Sequence, residues 1–196
     1  MAGGWRHGVG AGLAVLGLLA AGSQLQRWLP SDDDDPGSEP YLRPGVVGEA
    51  VDIRTATVTV ESVVGSRTVE EYGSEMVSPG VWVVVRYTVV ADRENTPVTL
   101  AELEDGEGRL WTLSGRNSNS CISGPPGVEA HCAAYFEVPV DALSSLRLHL
   151  ARESRDTRYD VVADVDLGLS EADGDAFANA RTIDLPTPTL GGKASS

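Results

Sequence analysis

Three features of this sequence predict an all-β fold, an antiparallel β-sandwich. Apolar residues recur with a period of two through most of residues 46–170. Clusters of Gly, Pro, Asn and Asp punctuate the apolar runs, and nothing in the region carries the spacing of an amphipathic helix. At 196 residues the chain is long enough for one domain with extensions and crowded for two. Its 41% hydrophobic content is too high for a wholly disordered chain.

The strands follow in order. Residues 46–53 form a short first strand. Residues 55–64 alternate, with Ala56, Val58 and Val60 on one face and Thr55, Thr57, Thr59 and Glu61 on the other. Residues 81–90 are the most apolar: Val81, Val83, Val85, Tyr87 and Val89 share a face, and Trp82, Val84, Arg86 and Thr88 share its opposite. A run apolar on both faces suits a central strand. Residues 97–103 and 109–113 flank Glu104-Asp105-Gly106-Glu107-Gly108, whose Asp-Gly pair signals a hairpin turn. Residues 132–138 end at Pro139, which cannot donate to a ladder. Leu146, Leu148 and Leu150 alternate with Arg147, His149 and Ala151, so His149 is expected to face solvent. Val161, Ala163, Val165, Leu167 and Leu169 alternate with Asp164 and Asp166. About 7–8 short strands of this kind predict an immunoglobulin-like sandwich.

The first residues set the compartment. Residues 1–7 form a short cytoplasmic N-terminus. The uncharged run 8–26 is 19 residues, or about 28 Å of helix against a hydrocarbon core of about 30 Å. A transmembrane signal-anchor helix is therefore expected over residues 8–29, with a cleaved signal peptide ending near Ala20-Ala21-Gly22 as the alternative. Trp5 and Arg6 would mark one membrane interface, and Arg27 and Trp28 the other. Either way the chain beyond Arg27 is exported, as a single-pass cell-membrane protein or as a secreted one. Gly4, Gly8 and Gly12 have the small-xxx-small spacing that lets two such helices pair weakly. Chance spacing in a glycine-rich segment is the competing reading.

Residues 30–45, with four consecutive aspartates and Pro36, Pro40 and Pro44, read as an acidic spacer. Flexible, hydrated carboxylates of this kind bind divalent cations poorly. Residues 171–196 read as a flexible tail, and Asp173-Gly174-Asp175 lacks the later glutamate of a calcium loop.

The charge of −14 excludes nucleic acid and anionic lipid head groups as partners, because both need clustered Lys and Arg. Cys121 and Cys132 are the two cysteines; in an oxidising compartment an even pair reads as a disulfide. With His131 they would supply three metal ligands and no fourth, and they lack the Cys-x-x-Cys spacing of thiol oxidoreductases. Gly-x-Ser-x-Gly and the phosphate-cradling glycine loop are both missing from the sequence. No catalytic, cofactor-binding or metal-ligating residues are therefore assigned, and no cofactor is expected.

Two segments carry the partner expectations. Residues 65–80 read as a long loop holding Tyr72 and Met76, and the turn after the Leu150 strand concentrates Arg152, Arg155 and Arg158. Aromatic and arginine anchors of this kind suit a protein contact, with a soluble hairpin tip and a floppy loop as the competing reading.

Several stretches carry a family resemblance. They are Val47-Gly48-Glu49-Ala50, Thr57-Val58-Thr59-Val60-Glu61-Ser62-Val63, Gly80-Val81-Trp82-Val83-Val84-Val85-Arg86-Tyr87-Thr88-Val89, Leu103-Glu104-Asp105-Gly106-Glu107-Gly108-Arg109 and Phe136-Glu137-Val138-Pro139. Over about residues 46–169 the chain resembles a bacterial family of unknown function with an N-terminal anchor or lipoprotein signal, an acidic spacer and a telokin-like immunoglobulin domain. The resemblance implies that fold and no reaction. The expectation is a non-catalytic envelope module for binding or assembly, with an envelope protein as partner. A secreted carrier for a metabolite, glycan or ion is the alternative.

Overall fold

The computed structural model describes residues 39–116, 121–153 and 155–191. Eleven strands are present among them: β1 (Tyr41–Val46), β2 (Ala50–Asp52), β3 (Ala56–Glu71), β4 (Ser74–Ala91), β5 (Leu100–Glu104), β6 (Leu110–Thr112), β7 (Glu129–Val138), β8 (Arg147–Ala151), β9 (Val161–Asp166), β10 (Ile183–Asp184) and β11 (Thr189–Leu190). A helix, α1 (Glu171–Ala178), lies between β9 and β10. The strands make two sheets. The first runs β1-β9-β8-β5-β6; the second runs β10-β3-β4-β7-β11, with β2 also paired to β3.

The alternation read in β4 decides what packs where. Val81, Val83, Val85, Tyr87 and Val89 enter the core between the sheets, opposite Leu103, Leu148, Leu150 and Val165 of the first sheet, with Phe136 of β7 beside them. Removing each such aliphatic or aromatic side chain from water contributes about 1.5–3 kcal/mol. The opposite face of β4 is also covered. Trp82 and Val84 join Val69, Ala133 and Tyr135 in a second cluster, sealed by Met76, Ile183 and Leu185.

That second cluster explains residues 65–80, which are not a loop. They continue β3 and β4 into a long hairpin. Its register jumps from Ser66↔Trp82 to Thr68↔Val77, so β4 carries several more residues than β3 at that point. The irregularity turns the ribbon and brings Val69 and Met76 against Trp82, whose Nε1 donates to the Met76 carbonyl at 3.1 Å. Gly80 stands at the corner because a Cβ there would lie 2.3 Å from the Val138 carbonyl oxygen.

The expected acidic spacer ends earlier than residue 45, since β1 begins at Tyr41 and pairs in parallel with β9. The expected flexible tail is likewise corrected over its described part. Asp173 accepts hydrogen bonds from the Ser170 backbone N–H (2.8 Å) and hydroxyl (2.7 Å), which caps α1. These bonds hold the Asp173 carboxyl below its usual range, and the residue serves the cap rather than a calcium loop. Beyond α1, β10 pairs with Val69 and Glu70, residues 185–188 cross the outer face of the second sheet, and β11 pairs with Ala130 and His131. The C-terminal segment is thus a strap over the sheet. Its apolar residues, Ile183 and Leu185, are scattered in sequence because they serve a single crossing rather than a repeating face.

Residues 8–29, 1–7 and most of the spacer lie outside the described residues, as do Trp5, Arg6, Arg27 and Trp28. Among the described residues no helix is long and apolar enough to cross a membrane.

Candidate functional site

The folded-back hairpin and the strap enclose a cleft of about 180 Å³, lined by Glu70, Glu71, Tyr72, Tyr135, Asp184 and the strap residues 185–188. The hairpin tip sets its outer wall. Tyr72 and Gly73 both take left-handed conformations (φ 51° and 79°) in a two-residue turn that closes the Glu71↔Ser74 pair. Glycine does this freely, whereas a tyrosine is strained there. Tyr72 is nonetheless 85% exposed, so packing of its ring offsets little of that strain.

The strap is tied from beneath and at both ends. Tyr135 donates its hydroxyl to the Pro186 carbonyl at 2.6 Å, Leu185 N–H donates to the Glu70 carbonyl at 2.9 Å, and Gly191 N–H donates to the Glu129 carbonyl at 2.8 Å. Burial pushes the Tyr135 phenol up to about 12; the charge of Glu71 and the ring of Tyr72 add to the rise, while Arg86 opposes it.

Farther along the strap, Pro186 and Thr187 cover Glu61, Arg86, His131 and Cys132 around a void of about 10 Å³. His131 is 9% exposed, and its ring nitrogens stand 3.7 Å from Glu61 Oε1 and 3.8 Å from Glu129 Oε2, beyond hydrogen-bond reach. Among the described residues neither nitrogen has a hydrogen-bond partner, nor do Arg86 Nε and Thr189 Oγ1. Such orphaned groups weaken a fold rather than support it.

The structure does not bring the expected partner-contact residues together. Tyr72 is at the cleft. Met76 is drawn under the hairpin against Trp82 and is part of the packing, not an offered contact. Arg152, Arg155 and Arg158 follow β8 in the first sheet, and none of them lines the cleft. Hydrogen bonds hold their turn: Thr99 Oγ1, just before β5, donates to the Arg152 carbonyl (2.7 Å), Arg155 N–H donates to Glu153 (3.2 Å), and Arg158 pairs with Asp156 at 2.7 Å. The Arg158 guanidinium, helped by its backbone N–H, pulls the Asp156 carboxyl down to about 2.

Cys121 and Cys132 are joined in a disulfide with Cα atoms 4.9 Å apart. His149 does not face solvent as its alternation predicts. It is 7% exposed, covered by longer neighbours, with Nε2 3.3 Å from Asp164 Oδ1 and 3.7 Å from Glu104 Oε2. Asp164 is in turn held by Arg147 through two guanidinium nitrogens. This charged row on β5, β8 and β9 was legible as alternating polar residues, but its burial was not. No group of three or more His, Cys, Asp or Glu is placed to hold a metal ion among the described residues.

No protein-family model and no curated protein matches this chain. Two solved structures are similar to it. The yjhA protein from Bacillus subtilis is 13% identical with a TM-score of 0.46, over 62% of this chain and 99% of that one. An uncharacterized beta-sandwich protein from Clostridium difficile 630 is 13% identical with a TM-score of 0.43, over 69% of this chain and 99% of that one.

Proposed function

We propose that the protein is a non-catalytic module of the cell envelope, an immunoglobulin-like sandwich held to the membrane by its N-terminal segment, which binds a partner protein at the Tyr72 cleft. The observation that carries this reading is Tyr72 itself, a strained, 85% exposed aromatic at the rim of a formed cleft. Strain that gains no burial is retained where a side chain is wanted for contact. The Cys121–Cys132 disulfide supports export, since such bonds persist in oxidising compartments. The order β9-β8-β5-β6 matches the G-F-C-C′ order of immunoglobulin variable sheets, and the adjacency of β4 and β7 matches strands B and E. On that reading β3 takes the place of strand A beside β4, and its extended hairpin with β4 is what builds the cleft.

The test is a photo-crosslinking residue at position 72 of the full chain in intact cells, with position 155 as the comparison. A discrete protein adduct at 72 that competes with the unlabelled chain is expected. Adducts equal at both positions, or none at 72, would overturn the assignment. A reporter fused after Ser196 should be active only on the outer side of the membrane, and cytosolic activity would remove the envelope reading.

A further inference from the structure

We propose that the Tyr72 cleft takes a basic side chain, a lysine ammonium or an arginine guanidinium, presented by a peptide segment of the partner. This deepens the reading above and rests on it.

Three properties of the cleft point to that chemistry. Its carboxylates are Glu70, Glu71 and Asp184, and among the described residues no Lys, Arg or His lines it. The exposed Tyr72 ring supplies a π face, which attracts a cation placed within about 6 Å of its centre. Pro186 and Pro188 have no backbone N–H, so the strap brings no main-chain donor at those two positions. Lysine and arginine side chains are donors only, the complement of a lining rich in acceptors. An acidic peptide would meet three like charges.

Size narrows the choice further. A volume of about 180 Å³ falls below the roughly 300–1,000 Å³ of pockets that enclose whole small molecules. It suits one long side chain entering from a larger surface contact. One cation outside the lining, Arg86, lies with His131 beneath the next stretch of strap, and it opposes the rise in the Tyr135 phenol without cancelling it. The chain's overall charge of −14 favours the approach of a basic segment from a distance.

The experiment uses the purified full chain carrying fluorotyrosine, with ring signals assigned by single Tyr→Phe variants. The probes are the hexapeptides Gly-Gly-Lys-Lys-Gly-Gly and Gly-Gly-Arg-Arg-Gly-Gly, their norleucine and glutamate counterparts, and calcium chloride. The basic peptides should shift the Tyr72 and Tyr135 signals saturably, and salt should weaken the effect. Binding should fall about tenfold or more in Glu71→Gln/Asp184→Asn and in Tyr72→Ala, and persist in Tyr72→Phe, because the ring and not the hydroxyl faces the cation. Equal binding of the norleucine peptide, the same shifts from calcium alone, or no saturable shift would overturn the proposal. If a position-72 crosslink forms in cells while no basic peptide binds, the cationic side chain is wrong and the partner site stands. If both fail, the site itself falls.

Discussion

Tyr135, on the outer face of β7, donates its hydroxyl to the Pro186 carbonyl 2.6 Å away, and this bond fastens the C-terminal strap across the second sheet. It also makes the strap sensitive to alkali. Burial, then Glu71 and Tyr72, raise the phenol from its ordinary 10.0 to about 12. A phenol raised in the folded chain contributes stability that is whole below 10.0 and lost as the pH climbs through about 12. Tyr87, in the core between the sheets, is raised by burial as well and acts in the same direction. The urea midpoint should therefore hold steady up to pH 10.0 and fall between there and about 12. Tyr135→Phe should lose about 1 kcal/mol at neutral pH, from one hydrogen bond, yet decline less steeply in alkali. Parallel alkaline slopes for the two proteins would contradict this account.

Gly65 and Phe177 make a second such pair. A Cβ at Gly65 would lie 2.1 Å from Phe177 Cδ2, so the ring of α1 fills the space that any larger residue on β3 would claim. Alanine usually improves on glycine within a strand, but here Gly65→Ala should destabilise. Phe177→Ala should cost about 2–3 kcal/mol, less than the usual ~3–5 for a phenylalanine because this ring is half-buried. The double variant should cost less than the sum of the two, since the methyl then has room. Additive losses in a double-mutant cycle would show that the two do not share the space.

Strict alternation made the sandwich legible in residues 81–90, where both faces of β4 could be assigned: the Val81 face is buried throughout, and the opposite face is buried at Trp82 and Val84 and half-buried at Arg86 and Thr88. Asp105-Gly106 read correctly as a turn because its bonds are local: Asp105 Oδ1 accepts from the N–H groups of Glu107 (3.0 Å) and Arg109 (2.9 Å). The candidate site was less legible, and the reason is range. The hairpin read as a loop because Pro79 and Gly80 break the alternation at the corner where the ribbon folds back. The strap read as a tail because its strands are two residues each and its stability comes from Val69, Tyr135 and His131, which lie far away in sequence. His149 failed for a related cause: its face of the sheet is polar, and period two cannot tell a polar face covered by long charged side chains from one open to water.

The disulfide should matter more than its exposed surroundings suggest. It closes a short ring around Gly124-Pro125-Pro126-Gly127, a loop with few apolar residues of its own, and Cys132 is part of the core. In the chain-entropy account such a ring contributes about 3 kcal/mol, or roughly 6–12 °C of melting temperature for a domain of this size. Thermal melts with and without a reductant should differ by that much, and Cys121→Ser/Cys132→Ser should match the reduced protein. Melts that coincide would mean that the loop is held by other contacts.

Tyr72 separates stability from function most sharply. A two-residue turn with both φ angles positive prefers Asn-Gly, and the chain has Tyr72-Gly73 at φ 51° and 79°. Left-handed backbone costs a non-glycine residue about 1–2 kcal/mol, least for asparagine. With 85% of Tyr72 exposed, little burial is lost when the ring is removed. Tyr72→Asn should therefore raise the unfolding free energy by about 0.5–1 kcal/mol while abolishing the response to basic peptides. A residue kept only for the fold would behave the other way, with stability falling and binding unmoved. Chemical denaturation and peptide titration of the same variant distinguish the two, and the sign of the stability change decides whether the tyrosine is retained for the turn or for what it touches.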